Sequence, residues 1–100
     1  MLFSELNFKK YIMDALEELG FVRATSVQEK VFKQLKSNNN IIVQSATGTG
    51  KTHAFLLPVF NRLDVDAKVV QAVIIAPTRE LATQLFNVAS QISIHTRRTN

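Results

Sequence analysis

Residues 44 to 52 read QSATGTGKT, a run of small residues closed by glycine, lysine and threonine. Such a run is suited to holding a phosphate chain. The pattern G-x-x-x-x-G-K-[ST] is met at Gly50, Lys51 and Thr52, with Ser45 in place of its first glycine. Backbone N–H groups from Ala46 through Thr47, Gly48, Thr49 and Gly50 to Lys51 would curl into a nest around the β-phosphate. Gly48 and Gly50 accept backbone angles that a side chain would forbid. Lys51 would meet the β- and γ-phosphates, and the Thr52 hydroxyl would bind Mg²⁺. A helix starting near Lys51 would aim its positive end at the same anion. Ser45 is small enough to leave this chemistry intact. A bare GKT tripeptide would equally suit a turn that binds nothing, so the flanking elements must decide.

Those elements stand in the required order. Residues 41 to 43 (Ile-Ile-Val) predict a short buried strand, then comes the loop, then KTHAFLLPVFNRL predicts a helix with a kink at Pro58. Upstream, residues 7 to 19 set Phe8, Ile12, Ala15, Leu16 and Leu19 on one helical face, and Gly20 ends that helix. A second helix follows from ATSVQEKVFKQLK, with Ser26 and Glu29 as its capping box and Val27, Val31 and Leu35 as its apolar stripe. SNNN breaks it. Downstream, VQAVIIA is rich in β-branched residues and predicts a second buried strand. From Pro77 onward, Leu81, Leu85, Val88 and Ile92 mark a last helix. Two helices, then strand, loop, helix, strand and helix, predict an α/β fold with a parallel sheet.

Composition sets wide bounds. The chain has 100 residues, 46% hydrophobic and 20% charged, which is ordinary globular material and one domain at most. A formal charge of +4 permits a nucleic-acid or nucleotide partner without demanding one. With no cysteine there is no disulfide framework, thiolate metal site or cysteine nucleophile. The first residues contain an acidic group and no apolar run of signal-peptide length. The longest aliphatic stretch, AVIIA at 72 to 76, is far short of a membrane span. The expectation is a cytoplasmic protein without a membrane partner.

Three motifs carry a family resemblance. GFVRATSVQ (20–28) resembles the Q motif of DEAD-box RNA helicases, QSATGTGKT their motif I and PTRELATQ (77–84) their motif Ia. In that family Ala or Gly commonly stands where this chain has Ser45. Phe3, 17 residues before Gly20, falls where the family has an isolated upstream aromatic. Ala24 departs from the usual proline, which loosens the backbone before the capped helix.

The resemblance implies the N-terminal portion of a RecA-like P-loop NTPase domain, with residues 1–36 as a Q-motif helical region and 37–100 as the start of the ATP-binding domain. ATP and Mg²⁺ are then the cofactors and RNA the partner. Gln28 carries an amide that matches the donor and acceptor pattern of adenine, which guanine reverses. Phe21 and Arg23 would cover the purine face, and the Thr25 hydroxyl would tie this segment to the phosphate loop. Read singly, Gln28 is an exposed first-turn residue and Phe21 a core residue. Pro77, Thr78, Arg79 and Glu80 open a helix where a backbone N–H, a hydroxyl and a guanidinium meet an RNA phosphate without reading sequence. A solvated Arg79–Glu80 ion pair is the alternative. His53 and His95 read as bland. Asp14, Glu17 and Glu18 read as a solvent face.

Hydrolysis also needs an acid to orient water and an arginine to stabilise the transferred phosphoryl group. No D-E-A-D sequence occurs here, and the S-A-T triplet present, residues 45 to 47, is part of the phosphate-loop run itself. The resemblance therefore implies further helicase chain beyond Asn100, and an inactive 100-residue segment whose two strands, not adjacent in a RecA-like sheet, stay unpaired. The rival readings are a non-catalytic ATP- or RNA-binding fragment and a small P-loop kinase.

Overall fold

The computed structural model describes residues 1–36, 40–44 and 50–98. Four helices form its frame: α1 (Lys10–Glu18), α2 (Ser26–Leu35), α3 (Lys51–Arg62) and α4 (Arg79–Ser93). Short 3₁₀ turns precede α1 at Phe3–Glu5 and follow α4 at Ile94–Arg98.

α1 ends as its sequence predicts. Gly20 takes a left-handed φ of 77°. Its N–H donates to Glu17 O at 3.1 Å, and the next N–H, from Phe21, donates to Leu16 O at 2.9 Å. This pair of bonds is a Schellman ending. The reversal sends the chain back along the N-terminus, where Phe3 N donates to Val22 O at 2.9 Å and Ala24 N to Met1 O at 3.0 Å. Leu2 and Arg23 form an antiparallel bridge there.

The capping box of α2 lies one residue earlier than expected. Thr25, not Ser26, is the N-cap: its hydroxyl accepts from Gln28 N at 3.2 Å, and Gln28 Oε1 accepts from Thr25 N at 2.9 Å. Thr25/Gln28 and Ser26/Glu29 have the same spacing, so the pattern alone does not choose between them. Glu29 is drawn elsewhere, its carboxylate 2.6 Å from the N-terminal ammonium. That ammonium holds the Glu29 carboxyl below its ordinary range.

The core gathers α1, α2, α3 and the end of α4. Ile12, Ala15 and Leu16 meet Val31 and Phe32, Ala54 and Leu57, and Ile92. Phe32, outside the expected stripe, is its aromatic centre: Phe8 stands edge-on to it at 5.5 Å and Phe3 tilts against it at 6.5 Å. Each fully buried aliphatic side chain contributes about 1.5–3 kcal/mol. Tyr11 links α1 to α3 by donating its hydroxyl to Phe60 O at 2.7 Å. Along α4, burial deepens from exposed Leu81 through half-buried Leu85 and Val88 to buried Ile92. His95, just beyond, is buried with Nε2 2.7 Å from a carboxylate oxygen of Glu18, which itself stays exposed as the solvent-face reading expects.

The expected parallel sheet is not formed among the described residues. Residues 41–44 and 70–76 have no ladder, and the Leu2–Arg23 bridge is the β-pairing present. The apolar side chains expected to be buried face solvent instead: Ile42 is 99% exposed, Val70 85% and Ile75 88%. The physical reason is pairing. A segment becomes a strand only when neighbours supply acceptors and donors for its backbone, and among the described residues neither stretch forms a β-ladder.

Candidate nucleotide site

α3 begins at Gly50, which takes φ 86° and ψ 23° as the N-cap. This left-handed geometry turns the chain into the helix and suits glycine. Its carbonyl accepts from Ala54 N at 3.1 Å inside the helix and from Gln28 Nε2 at 3.2 Å outside it. Space reinforces the choice of residue. A Cβ at Gly50 would lie 2.6 Å from Gln28 Nε2 and 3.3 Å from both Gln28 Cδ and the Thr25 methyl. The Q-motif segment is thus pressed directly against the end of the phosphate-loop segment.

Gln28 is buried, at 4% exposure, not an exposed first-turn residue. Both ends of its amide have backbone partners, Oε1 with Thr25 N and Nε2 with Gly50 O. One N–H and one oxygen lone pair remain for another partner. Thr25 stands beside Gly50 through its methyl, while its hydroxyl caps Gln28 N. The described link between the two motifs is therefore the Gln28 amide.

Lys51 and Thr52 occupy the first turn of α3 and are half-buried. That turn carries no acidic residue whose charge would oppose an anion at the helix start. Phe21, fixed in backbone by the Schellman ending, is 38% exposed and meets His53 edge-to-face, with ring centroids 5.0 Å apart and planes at 88°. Burial holds the His53 imidazole below its ordinary pKa, which favours its neutral form. Arg23 is exposed. Ser45, Ala46, Thr47, Gly48 and Thr49 lie outside the described residues.

The motif Ia residues sit elsewhere. Pro77, Thr78, Arg79 and Glu80 are all exposed at the start of α4. Thr78 caps the helix, its hydroxyl accepting from Leu81 N at 3.1 Å and keeping its own proton to donate. The amides of Arg79 and Glu80 have no intrahelical acceptor, as at any helix start. Among the described residues no ion pair joins Arg79 to Glu80, and no hydrogen bond joins this group to Thr25, Gln28 or Gly50. A cleft of about 540 Å³ between α2 and α3 is bordered by Lys51, Asn40 and Arg62 and by apolar residues such as Val31, Ile41 and Phe55. Phe21, Gln28 and His53 do not line it, so Lys51 is the residue it shares with the motif cluster.

Sequence reasoning missed two features. One is the Gln28–Gly50 bond, across 22 positions. The other is His53, read as bland yet packed on Phe21. Neither has a local signal, since each contact joins segments that only the tertiary fold brings together.

Comparison with known proteins agrees with the motifs. A family model for DEAD/DEAH box helicases matches residues 25–100. The chain belongs to that family. It is 48% identical over 84 residues to the DEAD-box ATP-dependent RNA helicase CshB of Bacillus cereus, covering 84% of this chain and 19% of that protein. It is 40% identical over 95 residues to the ATP-dependent rRNA helicase spb4 of Schizosaccharomyces pombe, covering 92% of this chain and 16% of the relative. The crystal structure of a DEAD box protein from the hyperthermophile Methanococcus jannaschii matches with a TM-score of 0.82 at 33% identity, over 92% of this chain and 25% of that one. The chain spans about a fifth of the length of the curated relatives it matches.

Proposed function

We propose that this chain is the ATP-binding N-terminal segment of an ATP-dependent RNA helicase that couples ATP binding and hydrolysis to duplex unwinding. The observation that carries the reading is the Gln28 amide bonded to Gly50 O, one residue before Lys51 and Thr52. It joins the group suited to reading adenine to the group suited to holding phosphates, within one packed unit.

In this reading Lys51 offsets charge on the β- and γ-phosphates, and backbone N–H groups from Ala46 to Lys51, most of them outside the described residues, would cradle the β-phosphate. Phe21 and Arg23 cover the purine, and the remaining N–H and lone pair of Gln28 face its edge. In this reading Mg²⁺ would be held chiefly by the nucleotide. Mg²⁺ characteristically takes few protein ligands and several phosphate or water oxygens. Thr52 would supply its hydroxyl as one of them. When bound, the ion neutralises developing phosphate charge. The acid and the arginine that complete hydrolysis come from the rest of a longer chain, packed with a RecA-like parallel sheet that residues 41–44 and 70–76 would join. RNA phosphates meet Thr78, Arg79 and the free amides of α4. A cytoplasmic location belongs to the same reading.

The test is made in the longer protein. Lys51→Ala is expected to abolish RNA-stimulated ATP turnover nearly completely, and Gln28→Ala to weaken ATP binding and narrow its preference over GTP. Turnover within twofold of the parent after Lys51→Ala overturns the reading. The alternative of a non-catalytic binding fragment predicts nucleotide binding with no turnover in any length of the chain.

A further inference from the structure

His53 stands directly after Lys51 and Thr52, on the same first turn of α3. Its ring meets Phe21 edge-to-face, centroids 5.0 Å apart and planes at 88°. Its Nε2 is buried with no hydrogen-bond partner among the described residues. A buried nitrogen without a partner is costly and uncommon, so packing, not polar bonding, holds this imidazole in place. What it packs on is Phe21, whose ring is otherwise 38% exposed and open on its remaining surface.

The backbone of Phe21 is fixed by its bond to Leu16 O, at 2.9 Å. That bond does not fix the side chain, and a half-exposed phenyl ring on a turn would exchange among rotamers. The imidazole removes that freedom. An edge-to-face partner prefers a defined inter-ring angle, because the electron-rich face of one ring attracts the electron-poor edge of the other.

We propose that His53 is a positioning residue for purine recognition. It holds the Phe21 ring in the orientation that stacks on the base, and so ties the base end of the nucleotide to the helix turn that carries its phosphate contacts. The inference rests on the nucleotide reading above and adds to it a residue that touches neither base nor phosphate. His53 acts through Phe21 alone, so its effect must require both the base and the phenyl ring.

The experiment compares ATP with inorganic triphosphate, which lacks base and sugar, as ligands of the intact chain, in the parent, His53→Ala, His53→Phe, Phe21→Ala and the double variant. Circular dichroism checks that each remains helical. His53→Ala is expected to weaken ATP binding about two- to twelvefold, the range for such aromatic pairs, and to leave triphosphate binding unchanged. His53→Phe, which keeps a ring edge, restores ATP affinity to within about twofold. Once Phe21 is alanine, removing His53 has no further effect. Equal losses for ATP and triphosphate, or an undiminished His53 effect in the Phe21→Ala background, overturn the proposal, because either marks a general structural role. Parent-level ATP affinity in His53→Ala overturns it alone. A parent that binds ATP no more tightly than triphosphate overturns the nucleotide reading and this inference together.

Discussion

Replacing Gly50 with alanine tests the junction between the two motifs directly. Two costs can be worked from the structure. The first is conformational: at φ 86° a Cβ-bearing residue sits in the left-handed region, which costs about 1–2 kcal/mol. The second is steric: the new Cβ would be 2.6 Å from Gln28 Nε2, closer than real contacts allow. Gln28 must move, and its bond to Gly50 O, worth about 0.5–1.5 kcal/mol, is lost. Lower entropy of the unfolded chain offsets about 0.5 kcal/mol. The net expectation is a destabilisation of about 1–3 kcal/mol.

Urea unfolding followed by helical circular dichroism, at low protein concentration, measures this. The same substitution in a Gln28→Ala background isolates the steric part, since the obstructing amide is gone while the φ penalty remains. There Gly50→Ala is expected to cost only about 0.5–1.5 kcal/mol. The difference between the two backgrounds is the coupling of Gln28 to Gly50. Equal costs in both backgrounds would refute the contact. No cost in either would refute the left-handed cap as well.

Other outcomes follow from other parts of the molecule. Tyr11→Phe leaves Phe60 O without its 2.7 Å partner and is expected to cost about 0.5–1.5 kcal/mol in the same unfolding assay. Burial raises the Tyr11 pKa in the folded state. The unfolded chain therefore loses its proton first, and stability falls as pH rises above about 10; Tyr11→Phe should flatten that part of the alkaline stability profile. Arg79→Ala in the longer protein should weaken RNA binding about equally for all sequences and lower the salt slope by up to about one unit, and a loss confined to one RNA sequence would contradict a phosphate contact. The isolated chain should hydrolyse no ATP and should self-associate through its exposed segment near Val70, Val73 and Ile75. Sedimentation should show a return toward monomer in Val73→Lys or Ile75→Lys, and a monomeric parent would remove that segment as the cause.

Local patterns in this chain were legible where the physics is local. The helical face of Ile12, Ala15 and Leu16 and the glycine stop at Gly20 depend on residues within a few positions, and the structure places them as the periodicity predicts. The capping box was misplaced by one residue because two overlapping threonine or serine pairs satisfy the same spacing. In the structure Glu29 lies 2.6 Å from the N-terminal ammonium and Gln28 bonds to Gly50 O, tertiary contacts that spacing does not show. The strands failed for a related reason. Val70 and Ile75 have strand chemistry, but pairing is a property of neighbours, and composition cannot supply a neighbour.

The site repeats that division at closer range. Motif spacing brought attention to Thr25, Gln28 and Gly50, yet assigned Gln28 an open amide facing a ligand. Folding buries that amide and engages both of its ends, leaving one N–H and one lone pair for another partner. A glutamine with a free side chain would contribute a contact to the base and nothing to the loop. A glutamine whose Nε2 donates to Gly50 O also sets the position of the carbonyl that begins α3. Any movement of Gln28 toward a purine must then be felt at the helix start that carries Lys51 and Thr52. Glycine at position 50 is what permits this closeness, because its missing Cβ leaves the space that the amide occupies.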